Sequence, residues 1–229
     1  MRDPDSVVRN RKYAVSGSGV GEGSLRSNGA PRTRYHCVMS DIAEVLDFWF
    51  GAPDSPERGR PRECWFEKSE SFDGVVRSRF LRVYERAAAG EFSHWECTPL
   101  AALALVVVLD QLPRNMFRGL ARAFAADALA LRVARNIVNR GFDALLRPVE
   151  RWFAYLPFEH AEDLAAQRRS IALFGSLAGC PDSAGVMDYS QRHYAIIARF
   201  GRFPHRNAIL DRESTSEELA FLSQPGSSF

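Results

Sequence analysis

The sequence predicts an all-α protein of about nine helices packed in antiparallel pairs. Apolar residues recur at helical spacing over most of the chain from Asp41 onward, and glycine or proline marks the ends of these segments. No stretch shows sustained alternation of apolar and polar residues, and no hairpin turn separates two β-branched runs. Together these observations favour helices over strands from Asp41 onward.

The first two predicted helices are delimited by glycine. Apolar residues at helical spacing define the first helix from Ile42 to Phe50, and Gly51 ends it. A loop with several prolines follows. The second helix is predicted from about Glu67 to Ala89, where Gly90 terminates it.

The third predicted helix, from Leu100 to about Leu112, is apolar on every side. Such a helix is typical of one buried among other helices. Thr98 at the N-cap and Pro99 at the first helical position are a favourable start. We expect Pro113 to end this helix because proline removes a backbone donor.

The remaining predicted helices run over about 121–139, 149–155, 160–177 and 184–200. Gly141 ends the first of these, and Pro157 ends the second. The pattern Ser214-Thr-Ser-Glu217 is typical of a capping box and predicts a last short helix that ends at Leu222.

Residues 1–38 differ in composition from the rest of the chain. They are rich in Gly, Ser and Arg and contain few large apolar side chains, so they cannot bury enough surface to offset the entropy cost of ordering. We expect a disordered extension or leader, with Met39 as the functional start, and a basic arm that binds a partner is the alternative. A single all-α domain is predicted at 39–223, with a C-terminal tail at 224–229.

Composition and charge argue against several functional classes. The net charge of +2 is too small to indicate nucleic acid or an anionic membrane as the partner. No apolar run reaches the ~20 residues of a membrane-spanning helix, and the N-terminus lacks the apolar core of a secretory signal. The four cysteines lie far apart without a C-x-x-C pattern, which predicts free thiols in the reducing cytoplasm. None of these features indicates an oligomeric state.

Three polar side chains interrupt the apolar faces of two predicted helices. His160 and Gln167 lie near the centre of the apolar stripe of one helix, and His193 lies within the stripe of the next. Buried polar groups need partners inside the protein. Asp110 and Glu159 offer complementary charges, so we expect these groups to converge.

A cationic segment near the C-terminus, Arg199-Phe-Gly-Arg-Phe-Pro-His-Arg-Asn207, favours an anionic ligand. Guanidinium groups bind phosphate or carboxylate through two parallel hydrogen bonds. We therefore expect a pocket between helices that holds a small anionic metabolite, with histidine available for acid–base chemistry. The candidate catalytic residues are His160, His193 and His205. The candidate ligand-binding residues are Asp110, Arg114, Asn115, Arg118, Glu159, Gln167, Arg199, Arg202, Arg206 and Asn207.

Several of these groups also have a purely structural interpretation. Asp110 and Arg114 are four residues apart and can form a buried ion pair that fixes how their helix meets its neighbours. Glu162 and Asp163 are explained as solvated charges that the helix dipole favours. The histidine spacing matches no ligand motif and nearby arginines repel cations, so we predict no metal. The sequence contains no phosphate-binding glycine loop or nucleophile motif, and we predict no cofactor.

Five motifs that occur in order along the chain carry a family resemblance. They are Leu46-Asp-Phe-Trp-Phe-Gly51, Asp110-Gln-Leu-Pro-Arg-Asn-Met-Phe-Arg-Gly119, Ala123-Phe-Ala-Ala-Asp127, Leu156-Pro-Phe-Glu-His-Ala-Glu-Asp163 and Arg199-Phe-Gly-Arg-Phe-Pro-His-Arg-Asn207. The set resembles the bacterial family called domain of unknown function 924, from about Asp41 to Leu222. The resemblance implies an all-α, TPR-like helical fold and brings no established activity.

The chain departs from the family pattern in two places. Leu210-Asp211-Arg212 stands where the family tends to have Leu-Gly-Arg, and Cys64-Trp65-Phe66 stands for a motif like Trp-Trp-Phe. The acidic substitution can alter a turn or pair with Arg206. Neither departure removes a candidate site residue.

Two functional classes remain. In the first, the protein is a small-molecule binder or an enzyme with an arginine–histidine–carboxylate pocket. In the second, it is a TPR-like interaction scaffold for a protein partner, and the polar cluster is structural. A scaffold requires only one or two structural ion pairs, whereas burying this much polarity is costly unless every group is satisfied. We therefore favour the pocket, although no motif identifies a substrate or a reaction.

Overall fold

The computed structural model of the chain describes residues 32–183 and 185–227, and all regular structure within these ranges is helical. The all-α prediction is confirmed, and the predicted count of about nine is close to the eight α-helices found there. They are α1 (Arg32–Phe50), α2 (Glu70–Ala88), α3 (99–116), α4 (Asp127–Asn139), α5 (Pro148–His160), α6 (Leu164–Gly175), α7 (Val186–Phe200) and α8 (Ser216–Leu222).

The predicted N-terminal extension falls mostly on residues 1–31, which lie outside the described residues. Within the described part, α1 begins at Arg32 instead of near residue 41. At the other end of the chain, the predicted tail is described up to residue 227. Of the helices described, none has both the length and the apolar character that crossing a lipid bilayer requires.

The central helix α3 changes its pitch instead of ending at Pro113, so that prediction was wrong. It consists of an α-helical part Pro99–Val106, a π-helical segment Val107–Gln111 and a second α-helical part Leu112–Met116. The N–H of Leu112 donates to the carbonyl of Val107, five residues back. Pro113 therefore falls in the first turn of the second part, where its missing donor costs nothing. π-Helical turns inside α-helices are frequent at functional sites.

Burial of α3 is confirmed. Every residue from 101 to 113 is buried, and α3 contacts α1, α2, α4 and α5. The later helices pack in chain order, α4 on α5, α5 on α6 and α6 on α7. Short connections such as residues 161–163 make such neighbours antiparallel.

Three other predicted boundaries were wrong by small amounts. Helix α5 continues through Pro157 to His160, because packing against α4 and α6 holds its last turn. Residues Ala121–Phe124 form a separate 3-10 turn, and α4 begins later, at Asp127. The capping box lies one residue further on than predicted, with Thr215 as the N-cap of α8.

The departure at Asp211 keeps the turn that a glycine would form. Asp211 has a φ of 54°, and no other non-glycine residue in the described ranges has a positive φ. Aspartate tolerates this left-handed conformation better than most residues. The chain then turns so that the N–H of Arg212 donates to the carbonyl of Asn207 at 2.8 Å.

An aromatic cluster joins the N-terminal helix to α5. The ring of Phe153 meets those of Trp49, Phe50 and Trp65 edge-on, at centroid distances of 5.7, 5.2 and 4.7 Å. Edge-to-face pairs of this kind stabilise beyond the area that they bury. Phe153 is therefore a central contact of this half of the core.

We expect Phe153→Ala to lower the free energy of unfolding by about 3–5 kcal/mol, because it leaves a cavity in this cluster. Leu145→Ala is the matched control, since Leu145 is 74% exposed and its removal should change stability by less than about 0.5 kcal/mol. Urea denaturation followed by circular dichroism measures both. Similar losses in the two variants would contradict this description of the core.

Candidate functional site

A buried carboxylate and a histidine form the centre of the site. Asp110 lies in the π-helical segment of α3 and has no exposed surface. His160 occupies the last turn of α5, and its Nδ1 lies 2.8 and 3.0 Å from the two carboxylate oxygens of Asp110. Both residues were predicted for the site, and the structure brings them into direct contact.

The charges of the two groups fix the tautomer of the histidine. Burial acts to raise the pKa of Asp110, but the charge of Arg114 and hydrogen bonds from His160 and Gln111 outweigh it and hold the pKa below its usual value. Burial and the charge of Arg114 lower the pKa of His160 despite the nearby carboxylate. A neutral His160 therefore donates its Nδ1–H to an ionised Asp110.

The second ring nitrogen of His160 is the reactive atom of this pair. Nε2 forms no hydrogen bond with the described residues. It is also not one of the fully buried side-chain atoms without a partner, so part of its surface is exposed. The side chain keeps 14% of its surface exposed. Nε2 is therefore an accessible, unprotonated acceptor at neutral pH.

Two arginines and two aspartates form a chain of alternating charges that begins at Asp110. Arg114 lies 3.3 Å from Asp110 and binds both oxygens of Asp127 at 3.1 Å. Arg206 contacts Asp127 at 3.4 Å and donates to the backbone carbonyl of His160 at 3.1 Å. The four formal charges cancel, which offsets much of the cost of burying them.

Arg206 is held between two aromatic rings. Its guanidinium lies 4.6 Å from the ring centre of Phe124 and 4.4 Å from that of Phe203. Burial and repulsion by Arg114 lower the pKa of Arg206 to about 10, so it stays charged at neutral pH. Stacking of this kind suits the planar guanidinium and explains how a charged group is accommodated here.

A second carboxylate close to Asp110 has the opposite protonation state. Glu159 is 3% exposed, and burial together with the charge of Asp110 raises its pKa to about 8. Its Oε1 lies 3.3 Å from Nδ1 of His193, which also donates to the carbonyl of Tyr189 at 2.8 Å. At neutral pH Asp110 is charged while Glu159 is mostly neutral.

The three predicted histidines lie close together around Phe203. Ring centres are 6.3 Å apart for His160 and His193, 5.5 Å for His193 and Phe203, and 5.6 Å for Phe203 and His205. Burial lowers the pKa of His193 to about 3. Burial and the charge of Arg206 lower that of His205 to about 4. All three imidazoles are therefore neutral at pH 7.

Gln167 contributes to the site through backbone contacts. It is fully buried on α6, and its Nε2 donates to the carbonyls of Glu159 and Ala161 at 2.6 and 2.8 Å. The prediction that His160 and Gln167 share one helix was wrong, because α5 extends to His160 and α6 begins only at Leu164. Gln167 holds the connection between the two helices.

Two predicted ligand residues lie in a separate clip that fastens α8. Arg202 binds both oxygens of the buried Glu218 at 2.7 and 2.8 Å. Asn207 donates to Ser214 at 3.0 Å and to Glu218 at 3.3 Å. These contacts have a structural explanation, since Glu218 also completes the capping box of the helix.

Three further predicted residues lie away from the histidines. Arg199 pairs with Glu217 on the surface, with both side chains more than half exposed. Asn115 and Arg118 bind the carboxylate of Asp73 on α2 at distances of 2.8–2.9 Å. The predicted convergence therefore holds for eight of the thirteen candidate residues, while the other five join other elements.

Two residues of the site were missed by the sequence analysis. Asp127 was quoted only as part of a motif and lay inside the helix predicted over 121–139, whereas in the structure it begins α4. Glu162 was interpreted as a solvated charge, yet it binds Arg212 at 2.6 and 3.0 Å and accepts the N–H of Phe203 at 2.8 Å. Asp163 is the N-cap of α6.

Within the described ranges, no group of three or more His, Cys, Asp or Glu residues could hold a metal ion.

The raised pKa of Glu159 makes a prediction about stability. A folded-state pKa above the unfolded value means that the folded chain binds more protons, so stability falls as the pH rises toward about 8. His193 and His205 have lowered pKa values, so they change the stability only below about pH 6.5. As the pH rises from 6.5 to 8, we expect the free energy of unfolding of Glu159→Gln to increase by on the order of 1 kcal/mol relative to that of the parent protein.

Denaturant titrations at pH 6.5, 7.25 and 8 measure this difference. The parent protein should lose stability across the series, while Glu159→Gln should change little. Glu63→Gln serves as a control because Glu63 is an exposed residue with no ion pair in the described ranges. A parent protein and a Glu159→Gln variant with parallel pH profiles would contradict a neutral Glu159.

Comparisons with known proteins place the chain in a family. The family model for "Bacterial protein of unknown function (DUF924)" matches residues 45–226. A solved structure, that of a protein of unknown function, ATU0120, from Agrobacterium tumefaciens, is 39% identical, with a TM-score of 0.71. The match covers 81% of this chain and 98% of that one. No curated protein matches the chain. The chain therefore belongs to the family of bacterial proteins of unknown function DUF924.

Proposed function

We propose that the protein binds a small anionic metabolite beside His160 and that His160, oriented by Asp110, accepts a proton there. The contact between Nδ1 of His160 and the carboxylate of Asp110, at 2.8 Å, carries this proposal. It leaves Nε2 as an accessible base with a fixed orientation. Histidines held in this way are general bases in many enzymes.

Asp110 also supports the proton transfer energetically. When Nε2 takes up a proton, the imidazolium lies against an ionised carboxylate, and the attraction between them stabilises the charged form. Because Asp110 is fully buried, solvent screens this attraction little. Arg114 opposes it, so the histidine stays neutral until a negative ligand or a reacting group changes the balance.

The charge distribution supports an anion as the ligand. Burial is the main cause of the lowered pKa values of His205 and His193, and the charge of Arg206 lowers both further. This contribution of Arg206 supports a positive potential where the histidine rings meet. A carboxylate or phosphate in that region would be attracted, and it would raise the proton affinity of the imidazoles.

Glu159 is the complementary proton donor in this proposal. It is mostly neutral at pH 7, whereas Asp110 is ionised, and the two carboxyl groups influence each other electrostatically. Pairs of carboxyl groups with separated pKa values are typical of enzymes that need both an acid and a base. In this arrangement His160 is the base and the neutral carboxyl group of Glu159 is the acid; Nδ1 of His193, 3.3 Å from Glu159, already donates to the carbonyl of Tyr189 and does not relay the proton.

An interaction scaffold is the second candidate function. The alternating charges of Asp110, Arg114, Asp127 and Arg206 satisfy one another and join α3, α4 and the segment after α7. A network of this kind braces three elements without any ligand. Under this alternative the partner is a protein, and the histidines are neutral core residues.

Ligand-induced stabilisation separates the two functions. Phosphate, nucleotides and small carboxylic acids are tested by thermal denaturation, and a binding anion at 100 times its Kd should add about 2.7 kcal/mol. The stabilisation should shrink in Arg206→Gln, which removes the positive charge beside His193 and His205, and remain in Arg118→Gln, whose arginine pairs with Asp73 instead. No stabilisation by any anion would favour the scaffold.

His160→Gln tests the proton transfer separately from binding. Proton uptake on binding is measured by calorimetry in buffers of different ionisation enthalpy. The parent protein should take up a proton with the anion below pH 7, whereas His160→Gln should bind the anion with no uptake. Equal proton uptake in both proteins would contradict the role of His160 and leave anion binding intact.

A further inference from the structure

A groove on another face of the molecule combines positive charge with apolar walls. It lies between α4 and α6 and has a volume of about 280 Å³. Arg135 and Asn139 of α4 line one side and Arg169 of α6 lines the other. Val138, Phe158 and Ala166 provide apolar surface between them.

The two groove arginines differ from most other arginines of the protein. Arg135 and Arg169 are exposed, and neither forms an ion pair or a hydrogen bond with the described residues. By contrast, Arg114, Arg202 and Arg212 each bind a carboxylate. No residue that lines the groove is acidic among those described. The groove therefore presents two uncompensated guanidinium groups to the same space.

We propose that this groove is a binding site for a phosphate monoester with an apolar substituent. Two guanidinium forks match the oxygens of a phosphate dianion, and the amide of Asn139 adds a donor. Phe158 and Val138 would contact the organic part, as apolar walls do in ligand sites that use a few polar groups for orientation. The volume accommodates a phosphorylated molecule of metabolite size.

The groove site is distinct from the histidine cluster. The cluster uses arginines that are already paired with Asp110 and Asp127, whereas the groove uses arginines without partners. None of the lining residues belongs to the cluster, although Phe158 directly precedes Glu159 on α5. Binding in the groove is therefore expected to survive substitutions at His160.

Phenyl phosphate is the probe for the test, with phenol and inorganic phosphate as its two parts. Binding is measured by calorimetry and by the amide chemical shifts of Ala165 and Ala166. The parent protein should bind phenyl phosphate more tightly than either part, with shifts at these alanines. The double variant Arg135→Gln/Arg169→Gln should weaken binding at least about tenfold, through loss of two charge-assisted contacts.

Arg168→Gln is the matched control, because Arg168 is adjacent in sequence, also exposed and without an ion pair among the described residues, but does not line the groove. It should bind phenyl phosphate as the parent protein does, and so should His160→Gln. Equal losses of affinity for phenyl phosphate in Arg168→Gln and Arg169→Gln would overturn the proposal. It would also be overturned if phenol or inorganic phosphate bound as tightly as phenyl phosphate. Absence of binding to the parent protein would also overturn it.

Discussion

Compensation of the buried charge of Asp110 is the constraint on which the rest of the site depends. A carboxylate with no exposed surface must be compensated inside the protein. Arg114, His160 and Gln111 do this directly, and the excess positive charge of Arg114 is shared with Asp127, which in turn receives Arg206. Burial and this same charge raise the pKa of Glu159 to about 8. One buried group thus influences the protonation states of its neighbours and connects α3, α4, α5 and the C-terminal segment.

Much of the fold followed from periodicity and from the residues at helix ends. The burial of α3 could be predicted because residues 100–112 are apolar on every side. Its continuation past Pro113 could not, since the π-helical turn depends on how Asp110 and the surrounding helices pack. The continuation of α5 through Pro157 could not be predicted either, for the same reason. Local rules disfavour proline inside a helix, but contacts with neighbouring helices outweigh them in α5.

The site was predictable where a polar residue interrupted an apolar stripe. His193 and Gln167 were found in this way because an inward polar group needs a partner. Glu162 was missed because a helix-start position explains an acidic residue without any further role. Asp127 was missed because the helix was predicted to begin near residue 121, which hid its position at the start of α4. Arg199 and Arg202 were included because the segment is rich in arginine, yet their partners Glu217 and Glu218 come from a helix whose position the sequence did not reveal.

A measurement of the protonation state of His160 is the most direct test of the proposed dyad, the pair of His160 and Asp110. Nitrogen-15 NMR of the labelled protein distinguishes the two neutral tautomers and follows the titration of the ring. We expect the Nδ1–H tautomer at pH 7 and a lower pKa in Asp110→Asn, because the ionised carboxylate favours the imidazolium. An Nε2–H tautomer, or a pKa of His160 that is the same in both proteins, would contradict the dyad.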